Sequence, residues 1–239
     1  MFVPTAMASW LMQLLHHSFC PHSRFVRLVL GEYGIAFELV EEPVWERRPE
    51  FLELNPACTT PVLIEDGLAV SGALVIAEYL DESYGANHAE RRLLPADMDA
   101  RVEVRRLLHW FNDKFFSEVT ESLVEEKILK RRLPVAEGGG PPDSAAIRVA
   151  RSNIRYHLSY IGWLAKGRNW LAGDRFTYAD LAAAAQLSSA DYLGDVPWEE
   201  DETAKNWYAR IKSRLAFRPL LAESLPGLAP AKSYADLDF

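Results

Sequence analysis

The chain has 239 residues, 49% of them hydrophobic, and a net charge of -8. That apolar content builds a real core and excludes an intrinsically disordered chain. The acidic balance argues against nucleic acid and anionic membrane surfaces as partners, because phosphates need basic patches.

Two cysteines are too few for a disulfide framework and point to a reducing, cytoplasmic setting. No apolar run reaches the roughly 20 residues that span a bilayer, so membrane insertion is not expected. Residues 1–10 hold no Lys or Arg ahead of an apolar segment. They read as a leader before the first strand rather than a secretion signal. Residues 11–17 read as a strand. Cys20-Pro21-His22-Ser23 then opens a helix that runs through Tyr33 to a stop at Gly34. A second strand covers 36–42 and is closed by Pro43. Pro49 suits the first turn of a short helix ending near Asn55-Pro56. Residues 61–65 and 68–71 pair as a hairpin around Asp66-Gly67. A helix over 73–84 follows, with Gly85 as its C-terminal stop. This order, βαβ, short helix, ββα, makes residues 11–86 a thioredoxin-like domain.

The polar stretch 87–95 reads as a linker, and 96–225 as an all-helical domain, giving an α+β protein in two parts. Leu107, Phe111, Phe115, Val119 and Leu123 recur every four residues, the stripe of a long helix with one buried face. Gly138-Gly139-Gly140-Pro141-Pro142 reads as a flexible loop. Asp143 or Ser144 caps a helix carrying Ile147, Ile154, Leu158, Ile161 and Leu164, stopped by Gly167. Thr177 and Asp180 have capping-box spacing, with Phe176 placed to staple onto Leu181. The alanines at 182–185 allow close packing at the centre of a bundle. A last helix over 202–214 ends near Phe217-Arg218-Pro219, and residues 226–239 form an extended tail.

A cysteine at a helix start sits where free N–H groups and the macrodipole favour a thiolate, which makes Cys20 the candidate nucleophile. The bland alternative is a small residue retained at a helix start. Ser23 in place of a second cysteine rules out an internal Cys-x-x-Cys disulfide. His16, His17 and His22 have no matching acidic cluster, so packing and solvation are expected of them and no metal site. Cys58 is expected to be a buried, inert thiol.

With these elements in place, residues 11–221 resemble a cytosolic glutathione transferase. Cys20-Pro21-His22-Ser23 followed by Arg27-Leu28-Val29-Leu30 is similar to the opening of the cysteine-type, omega-like branch. Thr60-Pro61-Val62 resembles the loop whose cis-proline presents backbone to the cysteinyl part of glutathione, and Gly173-Asp174 through Asp180 the helical domain's folding box. The resemblance implies a glutathione site at Thr60, Pro61 and Val62, with Cys20 able to form a mixed disulfide in a transferase or thiol-transferase reaction. It also implies an acid–serine pair at the start of the helix that ends in Tyr79-Leu80, where this chain has Gly72 and Ala73 and places Ser71 one step early. Losing one charge-assisted contact costs about 1.5–3 kcal/mol, so weakened or lost glutathione binding is expected.

Longer segments are similar to a division-protein branch of the family that binds FtsZ, the tubulin-like division GTPase. They are Trp45-Glu46-Arg47-Arg48-Pro49-Glu50-Phe51, Tyr156-His157-Leu158, Asp191-Tyr192-Leu193-Gly194-Asp195-Val196-Pro197-Trp198 and Tyr234-Ala235-Asp236-Leu237-Asp238-Phe239. This likeness implies a homodimer at the division site that bundles or curves FtsZ filaments and carries a functional tail. In that context Trp45, an aromatic in a charged loop, reads as an interface anchor. Glu126, Arg131 and Arg132 read as part of a docking patch, against the bland reading of a solvated helix face. Asp236, Leu237, Asp238 and Phe239 read as a partner-binding terminus, against the alternative that Tyr234 and Phe239 pack on the parent domain.

Overall fold

The computed structural model describes residues 12–237. The leader at 1–10, Leu11, Asp238 and Phe239 lie outside them. Strand β1 (Met12–His16) is followed by helix α1 (Pro21–Tyr33), strand β2 (Phe37–Glu41), helix α2 (Pro49–Leu54), the hairpin strands β3 (Val62–Glu65) and β4 (Leu68–Ser71), and helix α3 (Ala73–Ser83). The sheet order is β2-β1-β3-β4. β1 pairs parallel to β2, with Leu14 opposite Leu39, and antiparallel to β3, with Leu14 opposite Leu63. Asp66 and Gly67 both take positive φ, as the tight β3–β4 turn requires. Gly34 ends α1 in the left-handed region at φ 66°, where only glycine is free of a Cβ penalty. α3 ends at Ser83 with Tyr84 at its C-cap, so Gly85 falls at the C′ position read from the sequence, and it also opens a 3₁₀ helix, Gly85–Arg91.

α1 is buried almost all round, because the sheet covers one side and the helical domain the other. That second side is helix α7 (Tyr178–Tyr192), every residue of which is buried, with alanines at 182–185 letting its neighbours approach. Around it stand α4 (Met98–His109), a π-helical stretch Trp110–Thr120, α5 (Glu121–Lys127), α6 (Ser144–Gly167), α8 (Glu202–Lys212) and a last turn, α9 (Arg218–Leu221). Pro219 opens this last turn rather than ending the helical region, since a proline fits the first turn of a helix. Asp143 caps α6, accepting from Ala145 N–H at 2.7 Å. The Thr177–Asp180 capping box is present on α7. Phe176 lies against Trp170 and under the Arg214 guanidinium.

The expected flexibility of the glycine-rich loop is overturned, and the stretches read as a linker and an extended tail are packed onto the domains. The interdomain stretch is stitched down: Leu93 and Leu94 are buried, Leu93 N–H donates to Tyr33 Oη at 3.2 Å, and Leu93 C=O accepts from Tyr178 N–H at 3.2 Å. The glycine-rich loop is folded onto itself, with Gly140 N–H donating to Lys130 C=O at 3.1 Å. A Cβ at Gly139 would stand 1.9 Å from Leu133 O, so that position accepts only glycine. The tail is not frayed as far as Tyr234. Tyr234 is fully buried, its hydroxyl donates to Leu220 C=O at 2.9 Å, and Lys212 Nζ donates to Ser233 and Asp236 carbonyls at 3.1 and 2.6 Å.

Candidate functional site

The turn 17–20 carries the nucleophile, and the helical domain shapes it. Phe19 takes φ 66°, unusual for a side chain with a Cβ. It is held there by Tyr192, with ring centroids 4.1 Å apart, by the Arg24 guanidinium 4.1 Å above its ring, and by Ser189 Oγ donating to its carbonyl at 3.1 Å. Cys20, at the N-cap of α1, is thereby aimed into a cleft of about 720 Å³ between the two domains, with its Sγ 3.7 Å from Thr60 O across the cis Thr60–Pro61 bond.

Burial alone would push the Cys20 thiol up. Hydrogen bonding and charge from His22, with Ser23's hydroxyl and N–H, outweigh it and bring the thiol down to about 7. His22 Nε2 donates to Asn112 C=O at 2.8 Å, which leaves Nδ1 for the thiol. Burial pulls the His22 imidazole down, but the thiolate, the Asn112 carbonyl and Asp113 raise it overall. The thiol and the imidazole each favour the other's charged form, and backbone from the other domain orients the imidazole, an arrangement of the kind that activates a cysteine nucleophile.

The glutathione-site residues of the resemblance are only partly assembled. Thr60 lines the cleft beside Cys20. Val62 is fully buried in β3, opposite Ser71. Pro61 places its carbonyl on Gly72 N–H at 3.1 Å. The Ser71 hydroxyl donates to Leu54 C=O at 3.4 Å, away from the cleft, so Ser71 does not substitute for the missing serine. The first turn of α3 faces the cleft with Gly72, Ala73, Leu74 and Val75 and has no side-chain cap. Its N–H groups remain as a modest anion cradle. Cys58 is buried and its Sγ donates to Val44 C=O at 3.3 Å.

The docking candidates divide. Trp45 packs edge-on against His17, a cleft-lining residue, with centroids 5.3 Å apart, and the Arg132 guanidinium stands 5.8 Å from the Trp45 ring centroid, so these two candidates come together. Arg131 is exposed. Glu126 is buried: both its oxygens accept from Lys130 at 2.7 Å, and one accepts from Asp143 N–H at 2.6 Å, closing the base of the glycine-rich loop. It is a structural anchor and not a docking residue, because its carboxylate is already saturated with donors. Asp236 is held through its carbonyl by Lys212, while Leu237 is exposed. Residues absent from the sequence reading are Phe19, Asn112, and the buried pair Arg24 and Arg27 on α1, both ion-paired to Glu223 near the tail. Nothing local marks Asn112. Two arginines on an otherwise apolar helix face were the available signal for the ion pairs.

Comparisons with known proteins agree with this geometry. The glutathione S-transferase N-terminal domain pattern matches residues 19–83, and the C-terminal domain pattern matches 147–214. The chain is 47% identical to FtsZ-localized protein A of Caulobacter vibrioides over 94% of its own length and 97% of that protein's. It is similar to the crystal structure of a Sinorhizobium meliloti glutathione S-transferase, with TM-score 0.94 and 53% identity, covering 96% of this chain and all of the other. It is similar to the structure of FzlA from C. crescentus, with TM-score 0.88 and 45% identity at the same coverage.

Proposed function

The chain belongs to the glutathione S-transferase family, and on that premise we propose that it is an FtsZ-associated member that acts on division filaments, bundling or curving them, and binds glutathione weakly. The observation that carries this is the near full-length likeness to FtsZ-localized protein A, which covers 94% of this chain and 97% of that protein. Family membership by itself decides no activity, because function resides in sites grafted on a fold. The bare start of α3 supports weak glutathione binding, since neither Gly72 nor Ala73 offers a group to the γ-glutamyl end. A dimer carrying one filament contact per copy would cross-link neighbouring filaments, the simplest route to bundling.

The full-length protein is expected to pellet with polymerised FtsZ and not with unpolymerised FtsZ. Removing residues 236–239 is expected to abolish pelleting while leaving the melting transition in place, because Tyr234 and its contacts remain. Absence of pelleting by the full chain would overturn the reading; full pelleting by the truncated chain would remove the tail from it.

A second reading is favoured by the Cys20–His22 pair: a glutathione-dependent transferase or thiol transferase. Calorimetric titration separates the two. The first reading expects millimolar or weaker glutathione affinity; micromolar affinity would favour the second.

A further inference from the structure

A second groove, of about 730 Å³, lies at the seam between the domains, at the far end of α1 from Cys20. The thirteen residues of α1 put about 20 Å between the two ends. The groove is walled by the C-terminal end of α1, by Arg91 of the interdomain stretch, by Arg175 and Phe176 ahead of α7, and by residues 213–216 after α8. Among the described residues, the guanidinium groups of Arg91, Arg175 and Arg214 line it against one carboxylate, Glu32. That local balance runs against the net charge of -8 of the whole chain. Arg210, one turn before Arg214, extends the basic face. Two of these guanidinium groups are fixed in orientation. Arg214 lies 4.1 Å over the Phe176 ring while its Nε and Nη2 donate to Glu32 at 2.6 Å each. Arg210 lies 4.0 Å over the Trp170 ring while its Nη1 donates to Asn169 C=O at 3.0 Å. The two rings brace each other, edge to face, with centroids 4.8 Å apart. Arg91 is exposed and has no hydrogen bond or ion pair among the described residues.

We propose that this groove is a docking surface for an acidic, extended peptide segment of a partner protein, one in which carboxylates alternate with apolar side chains. A guanidinium held flat on a ring loses little freedom when its free N–H edge meets a carboxylate, and its fork matches both carboxylate oxygens. Arg210 and Arg214 are four residues apart, about 6 Å on a helical surface. An extended peptide repeats its side chains on one face every 6.5–7 Å or so, close to that spacing. Leu215, 72% exposed at the rim, supplies the apolar contact for the residues between the acids. A small inorganic anion would leave that contact unused. A nucleic-acid strand would meet repulsion from the acidic surface beyond the groove. The groove shares no lining residue with the Cys20 cleft, and docking here is independent of filament association.

The test uses the full chain and a fluorescein-labelled decapeptide in which Asp alternates with Leu, followed by fluorescence anisotropy at low salt. Two control peptides carry Asn in place of Asp, or the same residues with all the Asp gathered at one end. The alternating acidic peptide is expected to bind about tenfold tighter than the Asn peptide and several-fold tighter than the gathered one, and to weaken as salt is added. Arg91→Glu and Arg210→Glu are each expected to weaken it about fivefold. Arg148→Glu, the same charge change on the exposed face of α6, is expected to alter it by less than about twofold. Arg91 makes no bond among the described residues, so its variant tests the groove without disturbing the fold. Inorganic pyrophosphate and a single-stranded oligonucleotide are titrated in parallel. Equal binding of the Asp and Asn peptides, or an Arg148→Glu loss as large as that of Arg91→Glu, would overturn the proposal. So would saturable binding of pyrophosphate or oligonucleotide tighter than that of the peptide, which would make the groove a site for small anions or for nucleic acid instead.

Discussion

At the residue scale the site rests on one cysteine and the groups that tune it. Burial opposes the Cys20 thiolate, and His22 and Ser23 more than compensate, giving a thiol near 7. His17, pushed down to about 4 chiefly by burial, stays neutral across that range. The alkylation rate of Cys20 is therefore expected to climb through a midpoint near pH 7, below the roughly 8.5 of a free cysteine. His22→Ala is expected to move the midpoint upward, since only the favourable contributions are lost. Stopped-flow alkylation with a neutral reagent measures this, and an unmoved midpoint in the variant would show that His22 is not the source of the shift. Cys20 and its helix start were legible from sequence because capping chemistry is local. Asn112 was not, because it reaches His22 from ninety residues away in the chain.

At the element scale two features decide the architecture. The first is the α7 N-terminus. Asp180 accepts from Leu171 N–H at 2.9 Å, Thr177 N–H at 3.0 Å and Trp207 Nε1 at 3.0 Å, tying a loop, a cap and α8 to one buried carboxylate. Asp180→Ala would leave these donors buried without acceptors, at about 1–3 kcal/mol each. A loss of at least about 3 kcal/mol in urea unfolding is expected on that basis; a loss under about 1 kcal/mol would show that the carboxylate does not tie these elements together. The second is the helix running from α4 through the π-helical stretch into α5. On a regular α-helix a four-residue repeat drifts about 40° per step. The residues at 107, 111, 115, 119 and 123 nevertheless all stay buried. The wider winding of Trp110–Thr120 absorbs that drift, and it is this stretch that carries Asn112 and Phe116 to the cleft. The strict spacing of four was thus visible in the sequence, while its meaning, a π-helical wall, was not.

At the scale of the whole molecule, α6 presents a bare face. Val149, Tyr156 and Trp163 are seven residues apart, 60%, 58% and 67% exposed, and Tyr160 stacks beside Trp163 with centroids 6.1 Å apart. The opposite face, with Ile154, Leu158 and Ile161, fills the core. A large aromatic stripe left in solvent is the usual mark of an interface, and a second copy of the chain is the occupant our reading assigns to it. Sedimentation equilibrium is expected to give twice the chain mass for the wild type and the single mass for Trp163→Glu, with an unchanged circular dichroism spectrum. A wild-type monomer at micromolar concentration would remove the dimer from the model of bundling.

The sequence by itself determined the two domains, their element order, the helix caps and the position of the cysteine. Each follows from periodicity and from contacts within a few residues. Tertiary structure alone decided what the site contains. The Ser71 hydroxyl is turned away by Leu54, Glu126 is enclosed by Lys130 and Asp143, and Trp45 is met by Arg132. It also decided that the tail is anchored by Tyr234 and Lys212, and that Asp113, Glu121, Glu125 and Glu137 line the same cleft as Cys20. The physical reason is the same in each case: hydrogen bonds, ion pairs and desolvation depend on distances between residues far apart in the chain, which local pattern does not encode.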